Sequence, residues 1–525
     1  MRGRRFPIVA ILLIGLVTFA HAPVVNAAPA PPHIVVVMAD DLDDLSLQIL
    51  LSAGLLPNIK NNIVNRGVRF SNAFSTNPLC APSRATMLTG QYSHNHRVLS
   101  NEHPDGGVAQ LDDSAVLATA LQPIFRTGHV GKYLNHYGDL TTAVTNTVNP
   151  SAVNPAYVPP GWDAWYGLID PTTYAMYNYQ MNVNGRAEPH GGAPEDYQTT
   201  VLASKATSFI TDSLAAGKPL FLNLAPLAPH FEVWSLGLAS YRGLSPDSYG
   251  MLFNFIARPD PRQQTSKPGA WTLVASQLPF YHSLKPSWNE ADVSDKPFAM
   301  QHPLMSADDK NWANVQYRTR MLTMLSIDDM VGSIAAALGS QLSNTVWVFT
   351  ADNGFLLGEH RMSEKMSAYE ESARIPLYIA GPGITGWPRT VSALVLNNDF
   401  APTLAELGGV GMSVLVDGRS LVPFLQGTAP SDWRRRALIE HSSCSWFFDV
   451  PTYAAVRTGP NDTYPSRLYV ESENGSIELY DLTKDPYEMT SVHNDPSRTA
   501  EIGTLREALA ALKTCGGGSC QTLER

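Results

Sequence analysis

The feature that most constrains this chain is a set of short, unbroken apolar runs rich in β-branched residues, each closed by acidic residues or a turn. Residues 34–38 are the first, and they run into Ala39-Asp40-Asp41-Leu42-Asp43-Asp44. Residues 346–349 are the counterpart, and they run into Thr350-Ala351-Asp352-Asn353-Gly354. A run without polar alternation reads as a strand covered on both faces, the condition of a parallel sheet between helical layers. Residues 68–74, 129–132, 221–224 and 377–380 extend the strand set. Helical spacing falls between them at 57–66, 83–90, 115–126 and 312–338. Ser83 would cap the second of these helices and Gly90 would stop it. The alternation predicts an α/β sandwich with a large, mostly parallel central sheet.

From about Ser431 the texture changes. Runs at 437–440, 453–457, 467–471 and 477–480 are separated by polar turns, and a helix is expected over 500–513. That pattern predicts a small antiparallel sheet with a packed helix. The expected organisation is therefore a leader at 1–27, a catalytic domain at 28–430 and an α+β subdomain at 431–525. Residues 231–300 are proline-rich and irregular, and are expected as loops over the catalytic face.

Arg2, Arg4 and Arg5 followed by an apolar run at 6–20 and small residues at Val25 and Ala27 describe an export signal cleaved after Ala27. Its removal takes the net charge from −10 to −13. No later stretch has 18 consecutive apolar residues, so no membrane span is expected after removal of the signal. An acidic protein without a basic surplus is not built to neutralise nucleic-acid phosphates. Four cysteines in 525 residues exclude a disulfide-dense scaffold. Cys515 and Cys520 flank a flexible Gly-Gly-Gly-Ser loop and are expected to pair in an extracytoplasmic setting, in the periplasm, the cell envelope or the medium. Cys444 has no evident partner. Asn461 and Asn474 head glycosylation sequons.

Asp40 and Asp41 after one strand, with Asp352 and Asn353 after another, offer hard oxygen donors at the end of a sheet where ligands bind. Such a set suits Ca²⁺ or Mg²⁺. A second segment, Leu79-Cys80-Ala81-Pro82-Ser83-Arg84-Ala85-Thr86-Met87-Leu88-Thr89-Gly90, places a cysteine at a loop-to-helix junction with a fork-shaped cation one turn on. A helix start favours negative charge, so the segment looks made for an anionic ester.

Cys80-Ala81-Pro82-Ser83-Arg84 followed by Ala85-Thr86-Met87-Leu88-Thr89-Gly90 resembles the signature of the sulfatase family, within the alkaline-phosphatase-like superfamily. Asp40-Asp41, Gly131-Lys132-Tyr133, Pro229-His230, Asp352-Asn353-Gly354, Gly358-Glu359-His360, Lys365 and the segment 478–486 extend the resemblance along most of the chain. Ser93-His94-Asn95-His96, Leu134-Asn135, Gly161-Trp162, Trp165-Tyr166 and 289–297 make it most similar to the N-acetylglucosamine-6-sulfatase and heparan endosulfatase branch, with arylsulfatases close by.

The resemblance implies that Cys80 is oxidised to formylglycine by a formylglycine-generating enzyme, and that its hydrate attacks sulfur to give a covalent sulfate. It implies one divalent cation, Ca²⁺ first with Mg²⁺ as the alternative, on Asp40, Asp41, Asp352, Asn353 and an oxygen of modified Cys80. Arg84 is then expected beside the formylglycine hydroxyl, Lys132 and Lys365 on the sulfate, and His230 as the acid that protonates the leaving alcohol. Where many arylsulfatases have Gly-Lys-x-His, this chain has Leu134, then Asn135 and His136. Asn135 is a candidate sulfate or hydrate contact, and His136 a weaker candidate base. His94, His96 and His360 also lie near these motifs. The implied substrate is a sulfated glycan or small molecule, a sugar O-sulfate or an aryl sulfate. The competing readings are a phosphomonoester or phosphodiester hydrolase of the same superfamily, and a non-catalytic sulfated-glycan-binding relative.

Overall fold

The structure is a computed structural model that describes residues 31–142, 144–232, 256–276, 283–443 and 450–525. The leader at 1–27, Cys444 and much of the irregular 231–300 segment lie outside these residues.

Ten strands form one sheet. In chain order they are β1 (His33–Ala39), β2 (Gly67–Phe74), β3 (Arg126–Gly131), β4 (Ala164–Leu168), β5 (Gln180–Val183), β6 (Arg186–Pro189), β7 (Leu220–Ala225), β8 (Thr345–Ala351), β9 (Leu377–Ala380) and β10 (Arg389–Leu396). The spatial order is β10-β2-β9-β8-β1-β7-β3-β4-β5-β6. The central five, β8-β1-β7-β3-β4, run parallel. Every residue of β1 and of β8 is buried, as their unbroken apolar composition demands. Each large aliphatic side chain so placed contributes roughly 1.5–3 kcal/mol relative to exposure. β9 runs antiparallel to both β8 and β2. It therefore runs against the parallel set, as does β5, which pairs antiparallel with β4 and with the edge strand β6.

Helices α1 (Asp44–Ser52), α2 (Cys80–Thr89), α3 (Gln198–Ala215) and α4 (Ala307–Leu338) accompany the sheet. Three expectations need correction. The helix at α2 starts at Cys80, and Ser83 is inside its first turn. The Ser83 N–H already donates to the Leu79 carbonyl at 2.9 Å, and Pro82 occupies a position whose N–H would have had no helical acceptor. The helix expected over 115–126 shrinks to Leu117–Leu121. Pro123 cannot continue it, and Arg126 already opens β3. Two helices, Arg262–Ser266 and Pro268–Ser276, occur where only loops were expected. The α4 segment is long and apolar enough to cross a membrane by length and composition, but 67% of its most apolar window is buried inside the fold.

The four C-terminal strands, β11 (Arg436–His441), β12 (Tyr453–Thr458), β13 (Arg467–Ser472) and β14 (Ile477–Asp481), form an antiparallel meander in sequence order. Helix α5 (Thr499–Leu512) supplies Leu505 and Leu509 to a core that also takes Leu438, Val456 and Leu479 from this sheet and Phe74, Tyr92 and Leu356 from the larger part. A short helix, α6 (Gly518–Leu523), carries Cys520, which is bonded to Cys515.

Candidate active site

The site is built from neighbouring strand ends. Ala39 pairs with Ala351 at the last step of the β1–β8 register, so Asp40 and Asp352 leave the sheet side by side. The Asp41 N–H donates to Asp352 Oδ1 at 3.0 Å. Asp41 itself sits at φ 63°, a left-handed conformation that aspartate tolerates at a cost and that tends to mark functional positions. On the other side of β1, β7 leads to Ala228-Pro229-His230, and the Asp40 N–H donates to the Ala228 carbonyl at 3.2 Å. One strand further, β3 ends at Gly131, and the Lys132 N–H donates to the Ala225 carbonyl at 2.8 Å. Glycine is required there: φ is 119°, and a Cβ would sit 2.1 Å from the Ala225 carbonyl oxygen.

Around these ends the side chains converge. Lys132 Nζ is 2.6 Å from Asp40 Oδ2, and Lys365 Nζ is 2.5 Å from Asp41 Oδ1 and 2.9 Å from Cys80 Sγ. Arg84 Nε is 2.9 Å from Asp352 Oδ2, and its Nη2 is 3.4 Å from Asp40 Oδ2. Cys80 Sγ faces Asp40 Oδ1 at 3.9 Å. His230 Nδ1 donates to the Phe231 carbonyl at 2.7 Å, which turns Nε2 toward Asp41 Oδ2 at 3.4 Å. Ser83 donates from Oγ to the Asp352 carbonyl at 2.5 Å and accepts from Asn397 Nδ2 at 2.9 Å. Three carboxylates thus meet three fixed cations in a buried cluster.

A family model described as Sulfatase matches residues 32–410. The chain belongs to the sulfatase family. A second family model, N-sulphoglucosamine sulphohydrolase, C-terminal, matches residues 358–514 of this sulfatase. An arylsulfatase of Volvox carteri is 31% identical, over 98% of this chain and 78% of its own. An N-acetylglucosamine-6-sulfatase of Homo sapiens is 28% identical, over 95% of this chain and 87% of its own. A protein solved in complex with its substrate D-glucosamine-2-N,6-O-disulfate shares the fold at a TM-score of 0.67 and 22% identity, covering 92% of this chain and 97% of that one. The fold is thus the alkaline-phosphatase-like sandwich, and the activity is hydrolysis of sulfate esters.

Burial opposes charge throughout the sulfatase site, and the pairings decide the outcome. For Asp40, Lys132 and Arg84 overcome the burial and hold the carboxyl below its usual range. Lys365 and His230 do the same for Asp41. Burial would strip the protons from Lys132 and Lys365, but Asp40 and Asp41 respectively raise both ammoniums above the ordinary lysine value. The Cys80 thiol is pushed up by burial, against the pull of Lys132 and Lys365, so it holds its proton. His230 is lowered to about 4 by burial, which outweighs Asp41 and Asp40.

The remaining sequence candidates separate. Asn135 reaches the cluster through Tyr174: its Nδ2 donates to the Tyr174 hydroxyl at 2.7 Å, and that ring lies 4.9 Å from Lys132 Nζ and 5.2 Å from the His230 ring. His136 is turned away, with Nε2 3.1 Å from Glu102 Oε2 and Nδ1 3.6 Å from Asp139 Oδ2. Burial disfavours its charge, but Asp139 and Glu102 push it up to about 10, so it is a standing cation and no base. His94 is held by Glu440 and the Cys515 carbonyl, and His96 by Thr86 and the Val98 N–H.

Tyr174 and Arg320 were missed. Arg320 lies on α4, packs 3.8 Å from the Phe355 ring centroid and donates to the carbonyls of Asp41 and Pro229. An arginine among Tyr317, Met321 and Met324 on the buried face of a helix was the available signal. Tyr174 had none, because it stands in an irregular connection between β4 and β5.

Proposed function

We propose that this sulfatase removes an O-sulfate from a sugar, with residue 80 converted from cysteine to formylglycine. The observation that carries the reading is the position of Cys80 Sγ, at the first residue of α2, 2.9 Å from Lys365 Nζ and 3.9 Å from Asp40 Oδ1. A thiol that burial keeps protonated is a poor nucleophile there, whereas a formylglycine hydrate supplies a hydroxyl nucleophile at the same place. The thiol sulfur stands in for those hydroxyl oxygens. The sugar assignment draws on the N-acetylglucosamine-6-sulfatase relative.

The donor set fits a divalent cation. Asp41 Oδ2 and Asn353 Oδ1 are buried without a hydrogen-bond partner, and all the neighbouring carboxylate donors are hard oxygens. Asp40, Asp41, Asp352 and Asn353, with an oxygen of residue 80, would hold Ca²⁺ in preference to a soft metal. When bound, the cation supplies positive charge that polarises the sulfuryl oxygens.

The protein's own groups then divide the work. Lys132 and Lys365 hold the sulfate oxygens, and a locally cationic site admits an anionic ester despite the net charge of −10. Arg84 Nη2 has no hydrogen-bond partner and is the donor available to a residue-80 hydroxyl. His230 Nε2 is the atom positioned to deliver a proton to the leaving alcohol; with its value lowered to about 4 the resting imidazole is neutral, so Nε2 takes up that proton with the anionic ester before passing it on. Its Nδ1–H is committed to the Phe231 carbonyl, which fixes the ring. Asn135 positions Tyr174 beside both Lys132 and His230. Maturation requires a formylglycine-generating enzyme, and residues 1–27 direct export.

The test is mass spectrometry of the peptide containing residue 80, purified from the native source, together with turnover of matched aryl sulfate, aryl phosphate and glucosamine O-sulfate esters. An aldehyde at residue 80 and preference for sulfates are expected. Full activity with an unmodified Cys80 would overturn the nucleophile, and faster turnover of the phosphate would overturn the ester class.

A further inference from the structure

A second constellation lies apart from the sulfate site, where the turn preceding Lys365 meets the C-terminal sheet. His360 stands between the short paired strands Leu356–Leu357 and Ser363–Glu364, Glu371 in the turn of helix Glu370–Ala373, and Glu488 in the loop after β14. One donor atom from each lies within 4.8 Å of the other two. His360 and Glu488 are fully buried, and the Glu371 side chain is 10% exposed.

Two features distinguish this cluster from ordinary buried acids. First, His360 Nδ1 is 2.7 Å from Glu290 Oε2. The Nδ1–H donates to that carboxylate, which leaves the lone pair on Nε2, and this buried Nε2 has no hydrogen-bond partner. A carboxylate fixing the far nitrogen of an imidazole is the usual support for a metal-ligating histidine. Glu371 Oε2, 4.0 Å from that Nε2, is likewise buried without a hydrogen-bond partner.

Second, the nearby cations are committed elsewhere. Lys285 pairs with Glu359 at 2.6 Å, Lys296 lies 3.6 Å from Glu290, and Arg457 and Arg374 both pair with Glu370. Among the described residues, Glu371 has only His360 as an ion partner and the Glu488 side chain has none. Their remaining polar contacts are oriented to hold carboxylates still. Ser287 Oγ donates to Glu371 Oε1 at 2.9 Å, and the Glu370 N–H donates to Glu488 Oε1 at 3.1 Å. Two buried carboxylates whose one ion partner among the described residues is a histidine 4.0 Å away are costly unless they share a proton or hold a cation.

We propose that His360, Glu371 and Glu488 form a second metal site, for a first-row transition-metal dication of the zinc class. One imidazole nitrogen and two carboxylate oxygens suit zinc, while Ca²⁺ prefers an all-oxygen shell. The three ligands come from segments up to 128 residues apart. A metal there clips the strand turn that carries Lys365 to the C-terminal sheet. Its role is structural, and it is independent of the formylglycine reading.

The test uses full-length protein with Cys80→Ala, so that no thiolate competes, in excess Ca²⁺ to fill the oxygen site. Co²⁺ is the probe. The expected result is uptake of one equivalent, visible absorption bands of a histidine-ligated ion, and a raised melting temperature that Zn²⁺ reproduces. Adding His360→Gln or Glu488→Gln should weaken uptake at least tenfold. Glu488→Gln keeps the side chain's shape, and so serves if the histidine variant does not fold. No uptake by the parent protein, or uptake unchanged in the substituted protein, would overturn the site and leave a carboxyl–carboxylate pair sharing a proton.

Discussion

The Lys365 ammonium lies 2.5 Å from the Asp41 carboxylate, across 324 residues of chain, and the same nitrogen touches Cys80 Sγ. Glu364 and Met366 on either side of it adopt φ of 78° and 79°, so the backbone is bent to aim this one side chain. Lysine is therefore expected to be irreplaceable here. Lys365→Met should lower kcat/KM by about 10²–10³, or roughly 3–4 kcal/mol of transition-state stabilisation. Lys365→Arg should not restore it, because a planar fork cannot occupy the place of a compact ammonium. Steady-state kinetics on folded variants decide this, and a loss below tenfold for Lys365→Met would remove the lysine from the sulfate site.

His230 should matter in proportion to the basicity of the leaving group. A sugar alcohol needs a proton as it departs, whereas an acidic phenol scarcely does. His230→Ala is expected to cost about 10²–10⁴ on a sugar sulfate and much less on an activated aryl sulfate. Equal losses on both would show that the imidazole does something other than protonate the alcohol.

His136 links stability to pH. Its value rises from 6.5 to about 10 in the fold, where Asp139 and Glu102 outweigh burial. A raised value means that the pairing is fully present below pH 6.5 and is lost as pH rises through about 10. Glu102 is half exposed, so solvent screening limits the contribution to about 1 kcal/mol or less. The melting-temperature gap between wild type and His136→Gln should be widest at about pH 6, shrink as pH rises through neutrality and close above about pH 10. A gap that widened with pH would contradict the assignment.

The Cys515–Cys520 disulfide closes a loop with a sequence separation of five. So short a loop restrains the unfolded chain by about 2 kcal/mol. The Cys515→Ser/Cys520→Ser double variant should melt a few degrees lower but keep its kcat/KM, since these residues sit by α6 and away from Cys80. Loss of activity in the folded double variant would tie the C-terminus to catalysis.

Much of the catalytic site was legible because its chemistry is written in contiguous residues. Cys80 to Arg84 occupies a single helix start, and Asp40-Asp41 and Asp352-Asn353 each follow directly from a buried apolar strand. Lys132 and His230, the first polar side chains beyond strands β3 and β7, were legible only through the resemblance to the family. Ser83 was misread because local capping logic favours serine before a helix, while Asp352 takes its hydroxyl from across the sheet. His136 stood as a weaker candidate for the base because nothing local shows that Glu102 and Asp139 converge on it. Tyr174 and Arg320 act through space, and the triad of His360, Glu371 and Glu488 has no shared motif at all.

Burial periodicity and turn chemistry are local, so the sequence alone determined that strands and helices alternate, that acidic residues close the first and eighth strands, and that a small antiparallel sheet with a packed helix follows residue 430. Which strand lies beside which was decided only by the tertiary structure. β1 takes β7 and β8 as neighbours, and β9 inserts antiparallel beside β8. Strand order depends on side-chain packing and on closing loops of up to hundreds of residues, terms that no local window contains. That order sets which strand ends meet, and so which carboxylate faces which lysine.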